Sequence, residues 1–190
     1  MTPLLVVLGV LAPMLALALV AMGLVLHRTG RRIRTLEQEA RHDPLTGLPN
    51  RRGLKAHWDS MKGSRALLLI DLVGFKAVND SHGHVVGDTL LKQVSARLMA
   101  TVPPPGILAR WGGDEFVAVV PLHQLEGQKR RIVEARTAGY DLSPAGGPED
   151  VRVGARFGAS LGEPELGLAI RQAARDLLNQ KAAESGNDRQ

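Results

Sequence analysis

The 190-residue sequence contains no cysteine and few aromatic residues: two Trp, one Tyr and three Phe. The lack of cysteine excludes disulfides, thiolate catalysis and cysteine-ligated zinc. The scarcity of aromatics argues against a nucleic-acid partner, because no basic stripe is interleaved with stacking side chains. The sequence also lacks G-x-x-x-x-G-K-[ST], and it has no G-x-G-x-x-G after a predicted strand. Any nucleotide site therefore uses a scaffold other than these two.

Positive charge is unevenly spread along the chain. Residues 1–42 contain five Arg against Glu37 and Glu39, and they account for +3 of the formal net charge of +5. These Arg residues directly follow the uncharged run over residues 3–26, where a membrane explains them better than a polyanion does. We therefore predict a membrane-anchored chain and no nucleic-acid partner.

Residues 3–26 are long enough to cross a bilayer as one helix, which takes about 20 apolar residues. Pro13 lies within this run, and membrane helices tolerate such a kink. A cleaved signal peptide fits less well, because no positive charge precedes the run and it exceeds the usual core of about 7–15 residues. The Arg residues that follow predict a single-pass protein of the inner (cytoplasmic) membrane, with its C-terminal domain in the cytoplasm.

Residues 27–42 predict a linker helix, since Ile33, Leu36 and Ala40 recur at helical spacing. This helix either pairs with a second copy as a coiled coil or remains a solvated linker. A stripe this short does not decide between the two. The remaining residues, 43–190, are enough for one domain.

Hydrophobic spacing predicts an α/β (α+β) domain in which helices pack on a sheet. The predicted helices are Leu48–Met61, Val86–Met99, Leu122–Ala138 and Leu166–Ala183. The predicted strands are Ala66–Ile70, Ile107–Trp111, Phe116–Val120 and Val151–Phe157. The second and third strands flank two glycines and form a hairpin, and Pro144–Pro148 is predicted to be a loop.

Acidic residues are concentrated at two predicted strand ends. Asp71 follows the apolar run ALLLI, and Asp114 and Glu115 follow the two glycines of the hairpin. Taken singly, Asp71 is also typical of a cap or turn, and the pair is also typical of an acidic hairpin tip in water. If the hairpin lies beside the Asp71 strand, three carboxylates converge. A hard divalent cation would then offset the cost of burying them.

The segment FKAVNDSHGHVVGD leads into a predicted helix, and a helix N-terminus favours phosphate. Asn79 and Asp88 supply an amide and a carboxylate. A carboxylate prefers guanine to adenine, because it accepts hydrogen bonds from N1–H and the exocyclic amine. His82 and His84 have no third partner at the usual zinc spacing, so a turn or packing role is favoured for them.

Three blocks of the sequence together resemble the GGDEF-domain diguanylate cyclases. They are DPLTGLPNRR over residues 43–52, LLLIDLVGFKAVNDSHGHVVGD over 67–88, and LARWGGDEF over 108–116. Their order and separations also fit. The resemblance is close over residues 43–121 and looser beyond.

The resemblance implies a fold like that of nucleotide cyclases and polymerase palms, with a central, mainly antiparallel sheet flanked by helices. It implies that Asp71, the carbonyl of Leu72 and Asp114 bind Mg²⁺ (or Mn²⁺), with Glu115 also at the metal. It gives Asp114 and Glu115 catalytic roles. The implied substrate-binding positions are Lys76, Asn79, Asp88, Gly112, Gly113 and Lys181. Of these, Asn79 and Asp88 would read guanine, the lysines would contact phosphates, and the glycines would let the hairpin lie against GTP.

The implied reaction condenses two GTP into cyclic di-GMP and releases pyrophosphate. Each domain holds one GTP, so the symmetric product implies a homodimer with two domains face to face. Tethering at a membrane would raise the local concentration of the partner domain.

The sequence departs from the family at several positions. Val73 replaces an acidic residue that is usual there, and Trp111 replaces Tyr or Phe. The inhibitory product site of the family, R-x-x-D, is replaced by the segment 103–106, which reads PPPG, so no inhibitory product site is expected. The last helix lacks the family's Asp and Tyr over residues 173–181, and its phosphate-contacting Arg has no clear equivalent.

Three functions therefore remain open. The first is an active diguanylate cyclase. The second is a GTP-binding or protein-interaction module that regulates without turnover, and the divergent last helix motivates it. The third is a purely structural dimerisation domain, which predicts no nucleotide affinity.

Overall fold

The computed structural model describes residues 22–29, 41–137 and 139–187. Residues 22–29 form helix α1, which belongs to a unit separate from the domain that begins at Arg41. Among the described residues, no helix has both the length and the apolar character needed to span a bilayer. Residues 3–21 of the predicted span lie outside the described part of the chain.

Most of the predicted linker, residues 30–40, also lies outside the described residues. The linker helix therefore stays a prediction, and whether it pairs with a second copy stays open.

The domain that begins at Arg41 combines one sheet with helices on both of its faces. Its helices are α2 (Arg51–Ser60), α3 (Phe75–His82), α4 (His84–Thr101), α5 (Leu125–Thr137) and α6 (Leu166–Asn187), with 3-10 turns at Leu122–Gln124 and Ser143–Ala145. Its strands are β1 (Arg65–Val73), β2 (Ile107–Gly112), β3 (Glu115–Pro121) and β4 (Gly154–Leu161).

The four strands lie in the order β2-β3-β1-β4, and every neighbouring pair is antiparallel. Strand β1 lies inside the sheet, and each of its two faces packs into a different hydrophobic core. On one face Leu68 and Ile70 pack with residues of α4 and α5. On the other face Leu67 and Leu69 pack with α2 and α6. A strand that is buried on both faces is expected to carry a continuous apolar run, and ALLLI is such a run.

Helix α2 begins three residues later than its predicted start at Leu48. The side chain of Asn50 accepts hydrogen bonds from the backbone N–H groups of Arg52 and Gly53, at 2.9 and 3.2 Å. This is an N-cap, which satisfies N–H groups that have no partner within the helix, so the helix begins at Arg51. The apolar side chains of Leu54 and Trp58 in this helix are both buried.

The fourth strand was predicted to begin and end too early, and the prediction overlaps the observed strand over residues 154–157. The apolar residues suggested Val151–Phe157, but β4 runs over Gly154–Leu161, and Val151 forms only an isolated bridge with Tyr140. The reason lies at Gly158, where a Cβ would overlap the carbonyl oxygen of Ala173 on α6. Close contact between helix and strand requires glycine at this position, and that glycine interrupts the apolar pattern which marks a strand.

Helix α3 has no counterpart among the predicted elements. It is only eight residues long, and Val78 is its one buried residue, so it carries little hydrophobic periodicity. It is bounded by Gly74 and Gly83, whose φ angles of 92° and 82° end the regular structure on each side. The last helix, in contrast, was predicted from Leu166 and extends to Asn187.

Among the residues that the structure describes, strand β4 lies at an edge of the sheet and pairs only with β1. The backbone N–H of Ala159 donates a hydrogen bond of 2.9 Å to the Asp176 carboxylate on α6. The side chains of Ser160 and Gln172 are also hydrogen bonded, at 2.5 Å. Helix α6 therefore covers this part of the edge strand.

The packing at Gly158 predicts that Gly158→Ala destabilises the domain. The added methyl would lie about 2.5 Å from the Leu177 nitrogen, so α6 must shift. Overpacking of this kind typically costs about 1–3 kcal/mol. Urea denaturation of the full chain measures the difference.

Gly127→Ala is the matched control. Gly127 lies in α5, and its Cβ would meet nothing within 4 Å among the described residues. Because alanine favours a helix over glycine, this change should leave stability unchanged or raise it by up to about 1 kcal/mol. Equal unfolding midpoints for Gly158→Ala and the unchanged chain would contradict the packing argument.

Candidate active site

Asp71 and the acidic hairpin meet across the β1–β3 ladder. Asp71 pairs directly with Glu115. Asp114 is in the preceding turn, where its carbonyl oxygen accepts a hydrogen bond of 3.3 Å from the Leu72 N–H. The predicted proximity of the strand end and the hairpin tip is therefore confirmed, although β1 continues two residues past Asp71 to Val73.

The negative charges of Asp71 and Asp114 act on the neighbouring Glu115. Partial burial raises the pKa of the Glu115 carboxyl, and the negative charges of Asp71 and Asp114 raise it further. The cationic side chains of Arg51 and Lys181 oppose this rise. Like charges held this close favour the approach of a cation.

Lys181, on α6, provides one such cation. Its Nζ lies 2.7 Å from Oδ2 of Asp71, and about a third of the Lys181 side chain is exposed. The resemblance implies a phosphate contact for this lysine. In the structure it contacts a carboxylate that the resemblance assigns to the metal.

The acidic residues fit a hard divalent cation by their chemistry. Among the described residues, no three His, Asp or Glu side chains are grouped as a ready-made metal centre. Mg²⁺ does not need such a group, because it commonly binds through one or two carboxylates, water and substrate phosphates. All the donors here are oxygens, which are the ligands that Mg²⁺ prefers. Asp71, the Leu72 carbonyl, Asp114 and Glu115 therefore suit Mg²⁺.

Asn79 and Asp88 lie where α3 meets α4. The Oδ1 atom of Asn79 is buried and has no hydrogen-bond partner among the described residues. It lies against Gly87, where a Cβ would overlap it and come within 2.9 Å of Asn79 Cγ. A buried acceptor without a partner is costly, so a turn of the Asn79 side chain that brings this oxygen to an N–H donor would be favoured. Asp88 is exposed and directly follows Gly87.

The remaining predicted positions are at the hairpin and on α3. Gly113 has a φ of 53°, the left-handed region that favours glycine at the turn. A Cβ on Gly112 would come within 3.2 Å of Arg51 Nη2, which leaves little room for a side chain. Lys76 is exposed in the first turn of α3.

The hairpin tip is held by Arg110, a residue that sequence reasoning missed. Its Nε and Nη2 donate to the Gly113 carbonyl at 3.0 and 2.8 Å. Its Nη1 donates at 2.9 Å to Asp43, which also accepts from the N–H and hydroxyl of Thr46. Burial alone would raise the pKa of Asp43, but the bonds from Thr46 and Arg110 together hold that pKa below its usual value.

Two other arginines were missed. Arg51 donates to the Trp111 carbonyl at 2.6 Å, and its guanidinium lies 4.6 Å from the Trp111 ring centroid. Arg156 is half-buried on β4. In the β1–β4 ladder it stands directly opposite Asp71, on the side of Asp71 away from Glu115. The residues Asp43, Arg51 and Arg110 fall within the blocks that carry the resemblance, which is the one signal for them in the sequence.

Comparison with known proteins identifies the fold and the family. Solved structures of GGDEF domains share the fold. The coiled coil and GGDEF domain of DgcB from Caulobacter crescentus, in complex with c-di-GMP, gives a TM-score of 0.74 at 22% identity, over 89% of this chain and 95% of that one. A sensory box/GGDEF family protein from Caulobacter crescentus gives 0.65 at 30% identity, over 75% of this chain and 99% of that one. The fold is thus that of a GGDEF cyclase domain.

The family model described as "Diguanylate cyclase, GGDEF domain" matches residues 40–187, so the chain belongs to the GGDEF diguanylate cyclase family. Diguanylate cyclase DgcP from Pseudomonas aeruginosa is 34% identical over 80% of this chain and 24% of its own length. An uncharacterized signaling protein from Caulobacter vibrioides is 37% identical over 77% of this chain and 19% of its own. The chain thus spans about a fifth to a quarter of these relatives.

The Asp43–Arg110 contact predicts a pH-dependent contribution to stability. Because folding lowers the pKa of Asp43, its carboxylate stabilises the native state above its ordinary pKa, and this contribution is lost as the pH falls through the folded value. Asp43→Asn should therefore cost about 1–3 kcal/mol at pH 7, since Arg110 then lacks a charged acceptor. Chemical denaturation of the full chain between about pH 2 and pH 7 measures it.

The difference in free energy of unfolding between the Asp43→Asn variant and the unchanged chain should shrink below about pH 4. Asp59→Asn is the control, because Asp59 pairs with Lys55 on the exposed surface of α2. That exposed pair should contribute about 0.5 kcal/mol or less. If Asp43→Asn lowers the free energy of unfolding by the same amount at every pH, the charged contact between Asp43 and Arg110 is not the cause.

Proposed function

We propose that this chain is a diguanylate cyclase that condenses two GTP into cyclic di-GMP with release of two pyrophosphates. The observation that carries the proposal is the direct pairing of Asp71 with Glu115, with Asp114 in the adjoining turn. Membership of the family and the identity to DgcP support it.

Residues of the chain would bind the metal and assist the proton transfer. Asp71, the Leu72 carbonyl and Asp114 would hold Mg²⁺ or Mn²⁺, with Glu115 beside them. When bound, the metal supplies positive charge for the α-phosphate and the leaving pyrophosphate. Asp114 assists removal of the proton from a ribose 3′-OH. That oxygen bonds to the α-phosphorus of the other GTP while the bond to pyrophosphate breaks.

The guanine base would be recognised where α3 meets α4. The partnerless Oδ1 of Asn79 would accept from an N–H of guanine, and the exposed carboxylate of Asp88 would accept from another. Lys76 would contact phosphate from the first turn of α3. Gly112 and Gly113 would allow the hairpin backbone to approach GTP.

The reaction needs two copies of the chain. Each domain would bring one GTP, and the symmetric product requires the two sites to face each other. We also propose that residues 3–26 anchor the chain in the inner membrane with the domain in the cytoplasm. The uncharged run and the Arg residues that follow support this. No inhibitory product site is proposed at residues 103–106.

A second candidate is a domain that binds GTP and regulates a partner without turnover. The contact between Lys181 and Asp71 favours it, because a protein cation already neutralises a carboxylate that the metal would need. The two candidates differ in their product and not in their affinity for GTP.

The cyclase proposal predicts that the full 190-residue chain, in detergent, converts GTP and Mg²⁺ to cyclic di-GMP and pyrophosphate in a 1:2 ratio. Asp114→Asn should lower the rate at least about 100-fold, since one carboxylate near the reacting atoms loses its charge. Mass spectrometry of the nucleotides measures product. Asp150→Asn is the control, because Asp150 is exposed and pairs with Arg152.

A folded chain that binds GTP at high protein concentration and forms no cyclic di-GMP would reject the cyclase and favour the second candidate. A folded chain with no affinity for GTP would reject both and leave the structural dimerisation domain.

The contact at Gly87 predicts a defect in base selection. Gly87→Ala should displace the Asn79 side chain and weaken GTP binding about tenfold, as expected when one buried hydrogen bond is lost. If Asn79 accepts from the exocyclic amine, inosine triphosphate, which lacks this amine, should lose less affinity than GTP. Isothermal titration of both nucleotides against the full chain measures the ratio, with Gly127→Ala as the control. Equal losses for both nucleotides would show that Gly87 does not act through recognition of the exocyclic amine.

A further inference from the structure

Arg156 lies on β4 directly opposite Asp71. Residues directly opposite each other in an antiparallel pair project to the same face of the sheet, with Cβ atoms about 4.5–5.5 Å apart. Glu115 pairs with Asp71 from β3 on the other side. Asp71 therefore lies between an acidic and a basic neighbour on one face, and Arg156 marks the β4 side of the candidate active site.

Helix α6 brings a second cation to the same place. The helix crosses β4 in the opposite direction, since Gln172 contacts Ser160 and Asp176 contacts the Ala159 backbone. One to two turns later, Lys181 reaches Asp71. Arg156 and Lys181 thus approach Asp71 from the strand and from the helix.

The charges explain why two cations belong there. The three carboxylates of the site carry about −3 when ionised, and Arg51, Lys181 and Arg156 carry +3 in total. A divalent cation added to this nearly neutral group leaves an excess of positive charge. A bound polyanion would offset that excess. A triphosphate is such an anion, and an arginine fork matches its oxygens better than an ammonium does.

We propose that Arg156 contacts the phosphate groups of bound GTP from the β4 side of Asp71. The inference rests on the proposed function in that it takes GTP as the ligand, but it concerns binding and does not require turnover. Because Arg156 is half-buried, it is better shielded from solvent than an arginine on the outer surface, and its contact with phosphate is worth more. In the chain without ligand, Arg156 keeps other interactions, which the nucleotide would replace or extend.

The competing role for Arg156 is that of a counter-ion which only neutralises Asp71. The two roles predict opposite results. A phosphate contact makes Arg156→Ser bind nucleotide more weakly. A pure counter-ion makes the same variant bind nucleotide and Mg²⁺ as well as before or better, because Asp71 is then more available to a metal.

The test is isothermal titration of the full chain, in detergent, with the non-cyclising analogue α,β-methylene GTP. The titration is done once with Mg²⁺ present and once in EDTA. We expect Arg156→Ser to raise the dissociation constant at least about tenfold in both conditions, equivalent to about 1.4 kcal/mol. GMP binding should weaken less, because fewer phosphates are available to the arginine. Arg152→Ser removes the same charge from an exposed position four residues away and should change binding less than twofold.

Arg156→Lys is the second variant, and thermal unfolding checks that each protein is folded. Lysine keeps the charge but not the paired donors, so binding should fall by about threefold, between the unchanged chain and Arg156→Ser. Unchanged or tighter binding of the analogue by folded Arg156→Ser or Arg156→Lys would overturn the inference. Equal losses for GMP and the triphosphate analogue would also overturn it.

Failure of this inference is distinguishable from failure of the proposed function. If Arg156 is not a phosphate contact, the unchanged chain still binds GTP and forms product while the variants bind equally well. If the cyclase proposal alone fails, the unchanged chain forms no product but still shows the loss of binding in Arg156→Ser. A chain without affinity for any guanine nucleotide would overturn both.

Discussion

The site depends on one unfavourable contact, the direct pairing of Asp71 with Glu115 across the central antiparallel ladder. Like charges at directly opposed positions of a sheet are destabilising. The fold nevertheless places them there, and Asp114 adds a third carboxylate at the turn. Local choices that conflict with stability are expected at functional sites. The surrounding cations, Arg51 and Lys181, reduce the conflict without removing it.

The hairpin and helix α6 position these charges by different means. At the hairpin, Arg110 fixes the Gly113 carbonyl and is itself held by Asp43, far away in sequence. At α6, glycine at position 158 lets the helix lie close to β4, so Lys181 reaches the sheet at Asp71. The two acidic elements and the cation that faces them are therefore set by packing elsewhere in the domain.

Sequence patterns predicted the parts of the fold that depend on hydrophobic spacing. The buried strand before Asp71, the hairpin and helix α4 were all predicted, because long apolar or periodic runs mark them. Helix α3 and the true bounds of β4 were missed, since short elements and glycines carry little periodicity.

At the site, the acidic residues were predicted together, because a strand and a hairpin that pair bring their ends side by side. The contact of Arg110 with Asp43 was not predicted, since it joins residues 67 positions apart. The place of Arg156 was not predicted either, because it depends on the register of β4, and one residue of slip reverses the face of every side chain.

The covered edge of β4 limits how two copies of this chain can meet. An edge strand ordinarily offers free amide groups to which a second chain can add a strand. Here the Asp176 carboxylate already accepts the Ala159 amide, so continuation of the sheet across β4 would have to break that bond. Assembly through a continuous intermolecular sheet is therefore disfavoured at this edge. A pair of domains that met through the faces with the candidate active sites would keep α6 in place, together with the lysine that it carries.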